Sequence, residues 1–253
     1  MTALLVTSTG DGVDATVVIA ALAAVAAERR GRCAVVLPAQ TGLPEGAPGE
    51  LDRVQRLVPE AAFTELVRYP EALSPAAAAR ASGRPALDPA VCVQAVLDAE
   101  ATADLVLVMG GGGLLVRYDE DGFTMAELAR TLRLPLLVVT SAGPGTVNAT
   151  ALTLEVVAAR GLALDGLVVD AWPRHAGLAT RSHVADLEML AARPLLGVLP
   201  AGLAAACPAA FAAGARDGLG PSHGGTFDAA AFRRSVHGRG PDGTTSARSP
   251  GRP

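Results

Sequence analysis

Six short runs of continuous apolar residues constrain the fold: "ALLVT" (3–7), "CAVVL" (33–37), "DLVLVM" (104–109), "PLLVVT" (135–140), "LDGLVVD" (164–170) and "PLLGVLP" (194–200). Each has the length of a strand and none alternates with polar residues, so both faces of each must be covered. Longer stretches of helical period separate them, such as "TVVIAALAAVAAERR" (16–30), "LDRVQRLV" after the second run and "TVNATALTLEVVAAR" (146–160). Strand and helix in alternation predict a doubly wound α/β domain, a mostly parallel sheet with helices on both faces.

A chain of 253 residues is long enough for one such domain with a large core. Its extent is predicted as 1–236. The closing stretch "HGRGPDGTTSARSPGRP" (237–253) has too little apolar content to order itself and is expected to be a disordered tail. After about residue 200 the chain turns Ala/Gly-rich and its periodicity weakens. Half of the residues are hydrophobic but only 3% are aromatic, so Ala, Val and Leu must build the core.

A net charge of -4 argues against nucleic acid or an anionic membrane surface as partner. The start "MTALLVTSTG" has no basic stretch and predicts neither signal peptide nor anchor. No run approaches the roughly 18 apolar residues of a spanning helix. A cytoplasmic protein is expected. Cys33, Cys92 and Cys207 form no CxxC pair and read as buried thiols rather than a redox or metal motif.

Ligands of doubly wound sheets bind beyond the carboxyl ends of the strands. The first such loop lies in "VTSTGDGVDATVV" (6–18). A glycine-bearing turn between strand and helix gathers backbone N–H groups, and the helix dipole adds partial positive charge, so the fold is expected to be P-loop NTPase-like. The usual signature places Lys before the Ser or Thr that opens the helix. Here Ala15 precedes Thr16, and the whole chain contains no lysine. Asp11 and Asp14 share the loop. Two like charges about 4 Å apart cost on the order of 4 kcal/mol at an effective dielectric near 20, or roughly three orders of magnitude in affinity. That cost applies if the carboxylates face an incoming polyphosphate; the alternative is that they cap the turn and the helix.

With that loop, the stretches "VVLPAQTG" (35–42), "VLVMGGGGLLVRYD" (106–119), "SAGPGTVNATALTLE" (141–155), "VVDAWP" (168–173) and "GGTFDAAAFR" (224–233) resemble, in order, the ATP-dependent dethiobiotin synthetase family. The resemblance runs from about residue 3 to 233. It implies closure of a cyclic urea on diaminononanoate with carbon dioxide, ATP and Mg, a step of biotin biosynthesis, in a homodimer. It also implies a nucleotide site at Gly12, Val13, Asp14, Ala15, Thr16, Val17, Met109, Gly110, Gly111 and Gly112. Thr41 falls at the substrate hydroxyl, and Thr16 and Glu50 at metal positions.

Carried over residue by residue, the resemblance puts the loop lysine on Ala15 and the glycine before it on Asp14. A second lysine falls on Leu37, a metal acid on Met109, and a late Pro-Glu-Gly on "PAG" (200–202). Scaffold motifs stand while charged groups are replaced by apolar ones. No residue of this chain is therefore assigned a catalytic role, and binding of ATP and Mg is in question. Three readings follow: a silent family member; a working synthetase with Arg117 or Arg181 as substitute cations; or a module whose acidic hollow, with Asp11, Asp14, Glu50 and Asp52, takes a cationic ligand.

Other polar residues carry ordinary expectations. His175 and His183 read as surface residues. Ser141, His183 and Asp186 lack the strand-turn-helix elbow that would present a nucleophile. Trp172, at a strand end, is expected in packing or beside a nucleotide base.

Overall fold

The structure, a computed structural model, describes residues 3–237. Seven strands form one sheet: β1 (Ala3–Ser8), β2 (Cys33–Thr41), β3 (Ala62–Tyr69), β4 (Leu105–Gly110), β5 (Leu136–Thr140), β6 (Leu164–Trp172) and β7 (Gly197–Pro200). Their order is β3-β2-β4-β1-β5-β6-β7 and every pairing between them is parallel. The six apolar runs all become strands. β3 is the one that the runs do not announce. It is an edge strand whose "AFTELVRY" mixes polar and apolar residues because much of it stays in contact with solvent.

The described residues also hold two short 3-10 turns and nine α-helices: α1 (Ala15–Glu28), α2 (Glu50–Leu57), α3 (Pro75–Ser82), α4 (Pro89–Glu100), α5 (Met125–Leu132), α6 (Thr146–Ala159), α7 (Leu178–Ala191), α8 (Pro208–Gly218) and α9 (Ala229–His237). Alternate strand residues feed two cores. Leu4, Val6, Val35, Leu37, Leu107 and Met109 face α1, α2 and α8. Ala3, Leu5, Val36, Val106 and Val108 face α4 and α5, with a further cluster under α7 and α9. The helix α1 is buried without a break from Ala15 to Val25. Its small side chains let it lie close on the centre of the sheet, which fixes where the loop before it stands.

The Ala/Gly-rich stretch after residue 200 is more regular than its sequence suggests. The helix α8 packs on α1, and its Phe211 is fully buried. The helix α9 extends to His237, one residue into the segment expected to be a tail; residues 238–253 lie outside the described residues. Among the described residues no helix is long and apolar enough to cross a membrane. Cys33 and Cys92 are buried as expected, whereas Cys207 is exposed, because it stands in the turn just before α8.

Candidate functional site

The first loop connects β1, at the middle of the sheet, to α1. Gly12 turns it with φ +83°, a conformation that L side chains rarely adopt. Val13 packs against the apolar cluster below, and Thr16 and Val17 are buried in the first turn of α1. Asp14 is the N-cap: its Oδ1 accepts from the backbone N–H of Val17 at 3.2 Å. Its Oδ2 accepts from Arg53 Nη2 of α2 at 2.6 Å. The capping alternative therefore holds for Asp14. In addition, the backbone N–H of Asp14 donates to Asp170 Oδ2 at 2.8 Å. Asp170 closes the apolar part of β6 and lies 156 residues away along the chain. Two of the chain's own carboxylates thus occupy donors at the place where such a loop would receive a phosphate.

Asp11 behaves differently. It is exposed and faces a cavity of about 430 Å³ whose lining includes Gln40, Thr41, Glu50, Gly111 and Gly112. The lining contains two carboxylates, Asp11 and Glu50, and no basic residue. Gly110 precedes this wall at a close approach, since a Cβ there would come within 3.0 Å of Met125 Cγ and 3.3 Å of Val6 O. Gln40, which the motifs do not single out, is 5% exposed and accepts from the Glu50 backbone N–H at 2.9 Å. It anchors the start of α2, and its only signal in the sequence is a polar side chain at the end of an apolar strand.

Asp52 is committed locally, accepting from Gly49 N–H at 2.6 Å. Of the acids expected to form one hollow, Asp11 and Glu50 line the cavity, while Asp14 and Asp52 are held by Arg53 and Gly49. Neither Arg117 nor Arg181 lines this cavity. The stretch Pro200–Gly202 lies at the end of β7, with Ala201 N–H donating to Trp172 O at 2.8 Å. Trp172 meets Phe232 edge to face at 5.0 Å.

Ala15, Leu37 and Met109, the positions where the resemblance expects two lysines and an acid, belong to a single apolar cluster and are 7%, 2% and 2% exposed. The register of β2 and β4 pairs Val36 with Val108, which sets Leu37 and Met109 one step further along the neighbouring strands. All three positions thus lie in the same buried core under α1.

Burial raises the pKa of both Glu50 and Asp170. For Glu50, desolvation outweighs the opposing Arg53, and Asp14 adds to the rise; for Asp170, desolvation outweighs the N–H bond from Asp14. Asp170 Oδ1 is buried with no hydrogen-bond partner. Folded chains hold these protons to higher pH than unfolded ones, so the stability they contribute is complete below the ordinary carboxylate range and lost as pH rises through the folded values. Urea unfolding between about pH 4 and pH 7 should show a steeper loss of stability with rising pH in the parent than in Asp170→Asn. Comparing the two chains isolates Asp170, because Asp104, held low by Arg32, pulls the other way in both. Identical pH slopes would remove this role.

The cap gives a second expectation. Asp14→Ala should cost about 1 kcal/mol in a denaturant melt. Asp14→Asn keeps the cap acceptor and loses only the half-exposed Arg53 pair, so it should cost less. Equal costs would mean that the ion pair, not the cap, holds the turn.

A fully parallel sheet whose central strand runs through a glycine-bearing turn into a buried helix defines the P-loop class of nucleotide-binding folds. A family model described as an AAA domain matches residues 2–204. Solved structures support the fold alone: FtsY of Mycoplasma mycoides (TM-score 0.55, 15% identity, 94% of this chain and 68% of that one) and the septum site-determining protein MinD of Pyrococcus horikoshii with Mg-ADP (0.51, 17%, 93% and 95%). The ATP-dependent dethiobiotin synthetase of Parafrankia sp. is 54% identical over 92% of this chain and 98% of its own length. Those of Frankia casuarinae and Saccharopolyspora erythraea are 53% and 50% identical over 92% and 90% of the chain. The chain belongs to the dethiobiotin synthetase family.

Proposed function

We propose that this chain is a member of that family that has kept the scaffold of biotin-ring synthesis and no longer turns over ATP. The observation that carries the reading is the merging of Ala15, Leu37 and Met109 into one buried apolar cluster. Phosphoryl transfer to a carbamate brings two anions together, and catalysis of such steps rests on fixed cations and metal charge. Here the loop offers no cation of its own, and Arg53, which reaches it from α2, is spent on Asp14.

The donor set for magnesium is also reduced. Of the three metal positions that the family implies, Thr16 and Glu50 carry oxygen, while Met109 carries a buried thioether. Magnesium takes oxygen ligands and completes its shell with water and substrate phosphates, so Thr16 and Glu50 are what this chain would offer it, one carboxylate fewer than the family implies.

The test is a single-turnover assay with diaminononanoate, bicarbonate and Mg-ATP, followed by ADP release and by product mass. No product above the background without enzyme is expected from soluble, folded protein. Ring closure at any rate that scales with enzyme concentration would overturn the proposal.

A second reading concerns what the cavity still binds. With Asp11, Glu50 and the Thr41 hydroxyl, and no base in its lining, it suits an amine better than an anion. A melting-temperature rise with diaminononanoate in the absence of nucleotide, lost in Asp11→Asn, supports this; no rise counts against it. The cytoplasmic location and homodimeric assembly of the family are part of the same proposal. The half-exposed Leu115 and the exposed Leu152 flank a groove beside the glycine wall, where a second copy would add to the cavity.

A further inference from the structure

One cavity has the opposite charge from the rest of the site. Beyond the end of β6, between the following loop and the helices α7 and α9, about 270 Å³ is lined by Trp172, Arg174, His175, Arg181, Phe232 and Val236 together with two small residues. Three basic side chains meet there and no carboxylate lines the space, in a chain whose net charge is -4. Its lining shares no residue with the loop before α1. The pairing of β6 with β7 is irregular between Val169 and Trp172, so Asp170 faces α1 while Trp172 turns to the other side and joins the cluster under α7 and α9.

We propose that this cavity is a binding site for a small amphipathic anion, its acid group held by Arg174 and Arg181 and its apolar body against Trp172 and Val236. A guanidinium presents paired donors matched to a carboxylate or phosphoryl group. Arg181 is already positioned, donating through Nη1 to Ala176 O at 2.7 Å, and keeps its remaining donors for a ligand. Trp172 is held edge to face against Phe232, which fixes its indole as a wall. The volume falls below the usual range for drug-sized ligands, so a molecule of about one ring or a short chain is selected. The ligand class is set by these residues alone and does not depend on whether ATP is turned over.

Trp172 is the only tryptophan, so its emission reports on the cavity directly. Benzoate and phenyl phosphate, titrated separately, distinguish a carboxylate from a phosphoryl preference; benzyl alcohol is the uncharged control. A saturable change with at least one anion is expected, with binding weakened about tenfold or more in Arg181→Ala and in Arg174→Ala. Arg174 is exposed, so its variant is expected to leave the melting temperature unchanged and keeps the test valid if Arg181→Ala destabilises the loop. No saturable change with either anion, equal binding of benzyl alcohol, or undiminished binding by both arginine variants would overturn the proposal.

Discussion

Calorimetric titration of Mg-ATP into the purified chain is expected to give no saturable heat, and Asp14→Gly with Ala15→Lys is expected to restore binding. The parent loop meets a triphosphate with a cap carboxylate already seated at the helix N-terminus and with the Asp14 N–H engaged by Asp170. A carboxylate about 4 Å from a phosphate charge costs on the order of 4 kcal/mol at an effective dielectric near 20, roughly three orders of magnitude in affinity, before the missing lysine is considered. Arg53 offsets part of that repulsion, which is why the restoring pair changes both residues. Adding Asp170→Asn should strengthen binding again, because a neutral amide replaces the second carboxylate. Saturable binding by the parent would show that the loop backbone suffices and would reopen turnover; failure of the triple variant to bind, with an unchanged melting curve, would mean that the damage lies deeper than the loop.

Leu37→Lys is expected to destabilise the fold by about 3–5 kcal/mol, the range seen when a charge is left buried without a partner. Leu37 is 2% exposed, in the same apolar cluster as Met109 beside it on β4. Met109→Glu alone should cost a similar amount, and the two together should cost much less than their sum, since lysine and glutamate would then neutralise each other across adjacent strands. A double-mutant cycle on urea unfolding measures that coupling. Additive costs would show that the two positions do not meet, and that the losses at this site are independent rather than one exchange of polar for apolar surface.

The central architecture is legible because both-face burial forces continuous Val and Leu runs on β1, β2 and β4 to β7. The strand β3 escapes that rule for a physical reason: at the sheet edge its residues answer to solvent on one side. The helix α8 escapes it because an Ala/Gly-rich helix packed on another Ala-rich helix shows little contrast between its faces. At the site, the absence of charge at Ala15 and Leu37 is plain from the residues themselves. The direction in which Asp14 points is not, since a carboxylate in a turn serves equally as cap or as obstacle, and only the 3.2 Å contact with Val17 decides it. Nor does local sequence hold the bond from the Asp14 backbone to Asp170, which depends on how far β6 carries its end toward the loop.

The seated cap has a consequence for how the protein meets its surroundings. A loop that waits for a ligand leaves its helix end unsatisfied when empty, and such a protein becomes more stable as the ligand becomes more abundant. Here two donors at that end, the N–H groups of Val17 and Asp14, are taken by the carboxylates of Asp14 and Asp170 with no ligand present. The melting temperature should then be indifferent to how much nucleotide surrounds the chain.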